Sequence, residues 1–375
     1  MSAIIGSKKI DFSEEQGMLL DVAREFVKDK SPGSEVRKLL ESEAGFSEPV
    51  WQELVDLGWT GINLPESVGG SGLGIAALIP VVESMGKGLM GTPLVSTVLA
   101  AELIRRAGGI AEEDVLEDIS GGCAATVAYL DGSDWGGTNT GVSVDDNGVL
   151  SGSKFMVPDA AQATWIAVVG SDAAGDAVVA LVAGSDVAAQ AQASHALIDL
   201  TKRASTLDFT GVKAQRVLSG DKVGSAIRDY LLIGALLTAA EAVGSTSACL
   251  AGIVDYLKTR KQFGKLIGSF QALKHPTVDI YVGMEHSRSL VYHASSEIDD
   301  GPLSTEAEVA CRMAKAKASD TIQYAGDRSV QFHGGFGFTW ECDSSLFIRR
   351  AAWSQQQFGD AMHHRKRLAP LLLDA

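Results

Sequence analysis

The sequence predicts an α+β protein in which two helical regions flank a central antiparallel β-sandwich or barrel. Three observations predict this class. Apolar residues recur at helical spacing from residue 11 to about 107, a stretch rich in Val, Thr, Asp and Gly follows, and long apolar helical runs return after Gly224. At roughly 150 residues per compact unit, the 375 residues suit two to three domains. We place these domains at residues 1–122, 123–224 and 225–375.

Each region follows from its own periodicity. The N-terminal helices are predicted from MLLDVAREFV and VWQELVDLGW, whose apolar residues repeat every three to four positions. In the central region, short alternating runs such as GVSVDDNGVLSG are separated by the turn signals DDNG and AAGD. The C-terminal pattern predicts helices over 230–258, 270–298 and 305–332, and a last helix near 353–373. Their lengths suit a four-helix bundle.

Charge and cysteine content exclude several classes of function. With 47 acidic and 32 basic side chains the formal charge is −15, which disfavours nucleic acid or an anionic membrane as the main partner. The four cysteines form no CxxC pair, so neither a disulfide framework nor a zinc site is predicted, and no other metal site is indicated. The start of the chain lacks the pattern of a secretory signal. We expect a cytoplasmic protein.

Glu241 is the most informative single residue. It is the only charged residue between Asp229 and Asp255, in a run that is otherwise apolar or small and that reads as a buried helix of a soluble protein. A carboxyl group buried without a cationic partner has a raised pKa and can act as a base on carbon near neutral pH. Alternatively, Glu241 lies on an exposed stripe of the helix or is bonded to a structural arginine.

Two further segments could contact an anion. Arg260, Lys261 and Lys265 gather positive charge near a helix end, and Gln271 adds an amide, so this segment either holds a phosphate or caps a solvated helix end. In the second segment, QFHGGFG, glycines between long helices would let backbone amides approach an anion closely. Its histidine, His333, is more typical of a hydrogen-bonded loop residue than of a catalyst.

Together these segments resemble the acyl-CoA dehydrogenase family, flavoproteins that oxidise the Cα–Cβ bond of an acyl-CoA thioester. The resemblance covers most of the chain. WQELVDLGWTGINLPESVGGSGLG and VVESMGKGL are similar to the family's N-terminal domain, LIDLTKRASTLDFTGV to the end of its sheet domain, and RKQFGKLIGSFQALKH and QFHGGFGFTWE to its C-terminal motifs. The helix–sheet–helix order that this family implies agrees with the fold predicted from periodicity.

The resemblance implies FAD as the cofactor and acyl-CoA as the substrate. In the family a carboxylate base removes the α proton while the β hydrogen leaves as hydride to flavin N5, and hydrogen bonds stabilise the thioester oxygen. The family's motifs also contact the ADP part of the neighbouring subunit's FAD across a dimer interface. The residues that occupy these motif positions are Arg260, Gln262, Phe263, Gln271, Gln331, Gly334 and Gly335.

The base is implied away from the family's commonest position. Register from Arg350 places Gly359 where a loop glutamate usually lies, with Asp360 beside it, and the R-x-x-F-G register places Gly234 at the helix position that other members use. Glu241 is seven residues, or about 10 Å, further along that helix. Its A-E-x-x-G setting is similar to members that act on steroid side chains. We therefore predict Glu241 as the base, with Asp360 as the second candidate.

The residues implied around the flavin ring also depart from the family pattern. Leu130 lies near a threonine position of the family, and Met156, Val157 and Pro158 occupy its later aromatic–Ile–Thr run. These side chains offer apolar contact, and Pro158 has no amide proton to donate. We predict Leu130, Met156 and Val157 as cofactor contacts.

The assembly is left open by the sequence. The chain forms a homodimer or homotetramer with its own FAD, or a heterotetramer with a second acyl-CoA dehydrogenase-like chain, or it is a catalytically silent, flavin-poor subunit of such a heteromer. An electron-transferring flavoprotein is the implied electron acceptor. The small residues around Glu241 predict room for a branched or ring-bearing acyl group, and hence a role in fatty acid or steroid catabolism. They are Ala239, Ala240, Ala242 and Gly244.

Overall fold

Two helical regions flank a sheet region in the computed structural model, which describes residues 14–108, 112–187 and 192–373. In the first region, α4 and α5 have nearly continuous apolar sequences and are buried on most of their surface. The N-terminal helices are α1 (Glu14–Lys30), α2 (Gly33–Leu40), α3 (Glu48–Asp56), α4 (Gly74–Lys87), α5 (Leu94–Gly108) and α6 (Glu113–Ser120).

The central region forms two sheets that pack on a shared apolar core. The larger sheet has the order β3-β2-β5-β6-β9, with β1 also paired to β5, and the smaller sheet has the order β4-β8-β7. The strands are β1 (Ala125–Ala128), β2 (Ser143–Val144), β3 (Leu150–Ser151), β4 (Ser153–Pro158), β5 (Trp165–Ser171), β6 (Ala177–Ala183), β7 (Gln192–Ser194), β8 (Ala204–Asp208) and β9 (Arg216–Leu218).

Two strand pairings differ from the predicted antiparallel arrangement. Strands β1 and β2 both pair with β5 in parallel, whereas the other pairings of these two sheets are antiparallel. The prediction of a wholly antiparallel sheet is therefore wrong for these two pairs. An alternating apolar pattern identifies a strand, but it does not specify the partner or its direction.

A β-bulge interrupts β4 beside the C-terminal helices. The pairing of β4 with β8 shifts register between Lys154 and Val157, and Met156 has a positive φ of 53°. A regular strand sends successive side chains to opposite faces, whereas a bulge lets two consecutive residues share one face. Phe155 and Met156 therefore both face the helices, while Val157 is 1% exposed within the sheet core.

The C-terminal region is the predicted helical bundle. A short hairpin, β10–β11, connects its first two helices, and α7, α8 and α9 pack against one another while α10 and α11 both pack on α9. The elements are α7 (Lys222–Thr259), β10 (Lys261–Gln262), β11 (Lys265–Leu266), α8 (Gln271–Ser296), α9 (Thr305–His333), α10 (Ser344–Gln356) and α11 (Ala361–Leu373).

The single last helix predicted near 353–373 is wrong. The chain leaves the helical conformation after Gln356, and α11 begins only at Ala361. Phe358 and Gly359 adopt the left-handed region, with φ of 55° and 92°. One glycine without a nearby proline is a weak stop signal in the sequence, so the pattern did not predict this break.

Helix α7 is the central element of the molecule, in contact with α4, α5, α8, α9 and α10. It is long and apolar enough to cross a membrane, but 83% of its most apolar window is buried within the protein. This agrees with the predicted core helix. Glycines let α7 approach α4 closely, since a Cβ on Gly86 would lie 2.1 Å from the carbonyl oxygen of Glu241 and one on Gly244 would lie 1.8 Å from that of Glu83.

This close approach corrects the role predicted for the small residues around Glu241. Ala239, Ala240 and Ala242 are buried in the core, and Gly244 touches α4. Their small size serves helix packing. None of the four lines the two cavities beside the sheet region.

Candidate functional site

A cavity of about 480 Å³ lies between the sheet region and the last two helices. One wall comes from the start of the sheet region and from the β4 bulge, and the other comes from α10 and the segment that leads into α11. Its principal lining residues are Leu130, Trp135, Phe155, Met156, Trp353, Gln356, Gly359, Asp360 and His363. Three predicted site residues, Leu130, Met156 and Asp360, are thus brought together.

A second cavity, of about 440 Å³, adjoins the first and shares Trp135 and His363 with it. In its wall, apolar residues of α7 lie beside the arginines Arg228, Arg312 and Arg367. His364 is buried there, and neither of its ring nitrogens has a hydrogen-bond partner. Burial and the nearby Lys315 charge lower the pKa of His364 to about 3. The principal lining residues are Tyr129, Ile227, Arg228, Leu231, Arg312, Phe358, His364 and Arg367.

Asp360 is positioned by the start of α11. Its Oδ1 accepts a hydrogen bond of 2.7 Å from the backbone N–H of His363, and its carbonyl oxygen accepts one from the N–H of His364. Asp360 therefore caps the helix as well as lining the cavity. A carboxylate has two oxygens and about four acceptor sites, so the cap leaves acceptor capacity on this group.

Both positions that the resemblance implies for the family's glutamate lie next to this segment. Gly359 lines the first cavity beside Asp360. Gly234 on α7 faces Phe358, because a Cβ at Gly234 would lie 2.3 Å from that ring. The Phe358 ring therefore fills the space that a side chain at position 234 would need.

Glu241 lies in an ion-pair cluster. Its Oε1 accepts a hydrogen bond of 2.6 Å from Lys202 Nζ and lies 2.9 Å from Arg350 Nη1, in an ion pair whose alignment gives no hydrogen bond. Burial opposes ionisation, but Arg350 and Lys202 outweigh it and lower the pKa of Glu241. The expected carboxyl group with no cationic partner and a raised pKa is therefore wrong, and the alternative of a structural arginine describes this residue.

The same cluster balances its own charges. Arg350 also pairs with Asp199 and donates to the Thr201 hydroxyl group. Two carboxylates, Asp199 and Glu241, thus face two cations, Lys202 and Arg350. Glu241 is not among the residues that line either cavity. Its role as the base stays a prediction, but it has lost the physical argument that favoured it.

The predicted cofactor residues of the C-terminal motifs lie at one end of the bundle. The rings of Tyr256 on α7 and His333 on α9 are 4.4 Å apart, which brings the two motifs together. The side chain of Phe263 is 90% exposed, on a backbone with a φ of 54°. All seven residues are exposed on the single chain: Arg260, Gln262, Phe263, Gln271, Gln331, Gly334 and Gly335.

Among the residues predicted to contact the flavin ring, Val157 lies away from the cavity. Its side chain points into the sheet core and does not line the cavity, because the bulge turns Met156 outward in its place. The aromatic walls of the cavity were not predicted from the residue patterns; they are formed by Trp135, Phe155 and Trp353. In the sequence, Trp135 and Phe155 lie next to the two segments that differ from the family's flavin-binding motifs. That position was the signal that could have identified them.

Comparison with known proteins identifies the family. Residues 13–113 match the acyl-CoA dehydrogenase N-terminal domain, and residues 225–369 match the acyl-CoA dehydrogenase C-terminal domain. The chain is similar to the acyl-CoA dehydrogenase IpdE2 of Mycobacterium tuberculosis, with 32% identity over 92% of each protein.

Solved structures with the same fold include a variant of the Tcur3481-Tcur3483 steroid ACAD, at a TM-score of 0.86 and 27% identity, covering 97% of this chain and 99% of the other. A chain of the ChsE4-ChsE5 complex from Mycobacterium tuberculosis has a TM-score of 0.86 and 24% identity, with 98% and 99% covered. These matches confirm the predicted family, fold, enzyme class and FAD cofactor. The chain belongs to the acyl-CoA dehydrogenase family.

Proposed function

We propose that this chain oxidises the Cα–Cβ bond of an acyl-CoA thioester, with Asp360 as the base. The observation that carries this proposal is the position of Asp360, in a cavity whose other wall contains Leu130 and Met156, two positions implied to contact the flavin ring. When bound, FAD supplies a two-electron acceptor for the hydride from the β carbon. The chain itself supplies the base and the walls that exclude water.

The choice of Asp360 rests on reach. A base must lie within hydrogen-bond distance of the proton it removes. Asp360 lines the first cavity, whereas Glu241 is paired with Lys202 and Arg350 outside its wall. A carboxylate held by two cations is also a weaker base, because the cations stabilise its ionised form.

The second cavity fits the acyl-CoA substrate. Arg228, Arg312 and Arg367 match the charge of the CoA phosphates, and the apolar residues of α7 match an acyl chain. The buried, unpartnered imidazole of His364 offers a hydrogen bond to a polar group of the bound molecule. Trp135 lines both cavities and its ring lies 4.5 Å from that of Phe358, so the two cavities adjoin at these rings.

The residues of the chain also fit FAD, divided between two places. The aromatic and apolar walls of the first cavity suit a flat ring, although Pro158 gives it no amide donor. Arg260 and Gln271 suit phosphate and sugar groups, but they are exposed at the far end of α7 and the start of α8. We therefore infer that a neighbouring subunit completes each FAD site.

We infer the acyl group, the assembly and the electron acceptor from similarity to related proteins. Similarity to a steroid ACAD favours a ring-bearing acyl group. We infer a homomeric or heteromeric acyl-CoA dehydrogenase assembly that transfers electrons to an electron-transferring flavoprotein. All four cysteines are free thiols, which suits a reducing cytoplasm.

A pair of isosteric variants tests the base. Asp360→Asn should retain FAD but slow its anaerobic reduction by a steroid-type acyl-CoA by at least about 100-fold, because a general base contributes about that much. Glu241→Gln should retain a reduction rate within about tenfold of the native rate per bound flavin. Stopped-flow absorbance at the flavin band measures both. Rapid flavin reduction in Asp360→Asn together with no reduction in Glu241→Gln would identify Glu241 as the base instead.

The second candidate function, a silent and flavin-poor subunit, is favoured by one observation. Glycine occupies both positions that the resemblance implies for the family's base, Gly234 and Gly359. Purification distinguishes the two functions. A colourless chain that gains FAD only with a second acyl-CoA dehydrogenase-like chain, and whose Asp360→Asn variant leaves that complex fully active, would establish the silent subunit.

A further inference from the structure

Lys315 is a buried lysine that contacts the segment carrying Asp360. It lies in the middle of α9 and is 1% exposed. Its Nζ donates to the carbonyl oxygens of Ser354 at 3.0 Å, Gln355 at 3.3 Å and Gly359 at 3.1 Å, and to the hydroxyl of Ser319 at 3.0 Å. One ammonium group therefore joins the end of α10 to the residue that precedes Asp360.

The charge of this ammonium group is costly to bury. Burial lowers the pKa of Lys315 to about 7, and the negative charge of Asp360 acts in the opposite direction. The other ionisable groups that interact with this region are Arg312 on α9, His363, His364 and Arg367 on α11, and Asp134 in the sheet region. Burial lowers the pKa of both histidines. Asp360 is thus the anionic group that favours charged Lys315.

The segment needs such an anchor. Between α10 and α11 the chain takes two consecutive left-handed residues, Phe358 and Gly359, and an ordinary non-glycine residue at positive φ is strained. Three carbonyl oxygens that α10 and the turn leave free accept hydrogen bonds from Lys315. Without these donors, buried carbonyl groups would lack partners, and the turn would shift toward water.

We propose that Lys315 is a positioning residue for the proton-transfer step: it fixes the turn that places Asp360 against the substrate. This inference rests on the proposed function of Asp360. Lys315 does not line either cavity, and it acts through the backbone of residues 354–359. A displacement of the base by about 1 Å would slow proton transfer by about 100-fold.

The test compares two identical substitutions on one helix. Lys315→Met keeps the length of the side chain but removes all its donors, and Lys317→Met, two residues further along α9, makes the same change where the side chain is half-buried beside an open groove. In Lys315→Met the rate of flavin reduction should fall by about 100-fold. The Kd for a non-oxidisable acyl-CoA thioether should change by less than about threefold, because positioning affects the transition state more than binding. Lys317→Met should match the native protein in both.

A pH profile separates positioning from general stability. As pH rises through the pKa of Lys315 its third donor is lost, so the native reduction rate should fall on the alkaline side. Lys315→Met should lack that alkaline fall. If Lys315→Met does not fold, Lys315→Gln, which keeps two amide donors, replaces it and should give an intermediate rate. A native rate per bound flavin in either variant overturns the positioning role.

The base assignment is tested separately. A slow Lys315→Met with a fast Asp360→Asn would show that the turn matters for a different reason and would refute both the base and its positioning. A slow Asp360→Asn with a native Lys315→Met would refute the positioning residue alone.

Discussion

Glu241 is buried on α7 against two cations, Lys202 and Arg350. Its isolation in an apolar run correctly indicated burial. Its partners could not be predicted, because Lys202 lies 39 residues before it in the sheet region and Arg350 lies on α10. Burial alone raises the pKa of a carboxyl group, whereas burial against two cations lowers it. The direction of the shift therefore depends on tertiary contacts that a single sequence does not contain.

The Glu241 cluster makes a prediction about stability. Glu241→Gln should destabilise the protein by roughly 3 kcal/mol at about pH 7, because it leaves buried Arg350 and half-buried Lys202 with less compensation. The folded pKa of Glu241 is lowered, so its stabilisation is present above the unfolded pKa of about 4.3 and is lost as pH falls through the folded value. Urea unfolding of the native protein and the variant, at about pH 7 and again at a pH below the folded pKa, measures this difference.

The control for that prediction is an exposed pair. Glu35 accepts a hydrogen bond of 2.6 Å from Lys38 on the surface of α2. Glu35→Gln should change stability by less than about 0.5 kcal/mol, since exposed pairs contribute little. Equal effects of the two variants would mean that the buried cluster does not stabilise the fold.

At the scale of elements, periodicity predicted what local sequence can specify. The long helices α7, α8 and α9 were predicted within a few residues at most of their ends, although α7 begins eight residues before the predicted Tyr230. The break between α10 and α11 was not predicted, because the sequence FGD contains only one weak stop signal. The turn between these helices is held by Lys315, which lies on α9. The two parallel strand pairs were likewise set by partners outside the local pattern.

The contact between α4 and α7 gives a matched pair of glycine substitutions. Gly244→Ala should destabilise the protein by about 1–3 kcal/mol, because the added Cβ would lie 1.8 Å from the Glu83 carbonyl oxygen and force the helices apart. Gly252→Ala, on the same helix with nothing within 4 Å, should stabilise by up to about 1 kcal/mol through helix propensity. Thermal unfolding measures both, and destabilisation by Gly252→Ala would contradict the packing account.

At the scale of the whole molecule, the sequence motifs at the exposed end of the bundle predict a contact with FAD, and one chain alone leaves them open to solvent. Arg260, Phe263 and Gln331 are exposed together, although each belongs to a motif expected to contact FAD. Phe338 is 74% exposed in the adjoining segment. An apolar and basic surface of this kind is typical of an interface, and we expect a neighbouring subunit to cover it.

Phe263→Ala should therefore weaken subunit association by about tenfold, as expected for loss of a buried aromatic anchor. FAD content per chain should fall with it. Sedimentation velocity over a concentration series, with the ratio of flavin to protein absorbance, measures both quantities. Met18→Ala removes an exposed apolar side chain on α1 and is the matched control. Unchanged association in Phe263→Ala would place the interface elsewhere.

The left-handed turn at Gly359 also limits which side chains this position accepts. A glutamate there would require a side chain at a φ of 92°, and its Cβ would meet the His363 ring at 2.5 Å. A single Gly359→Glu substitution is therefore opposed both by the backbone and by a neighbouring ring. An acid at this position would need a smaller residue in place of His363 as well as a different turn.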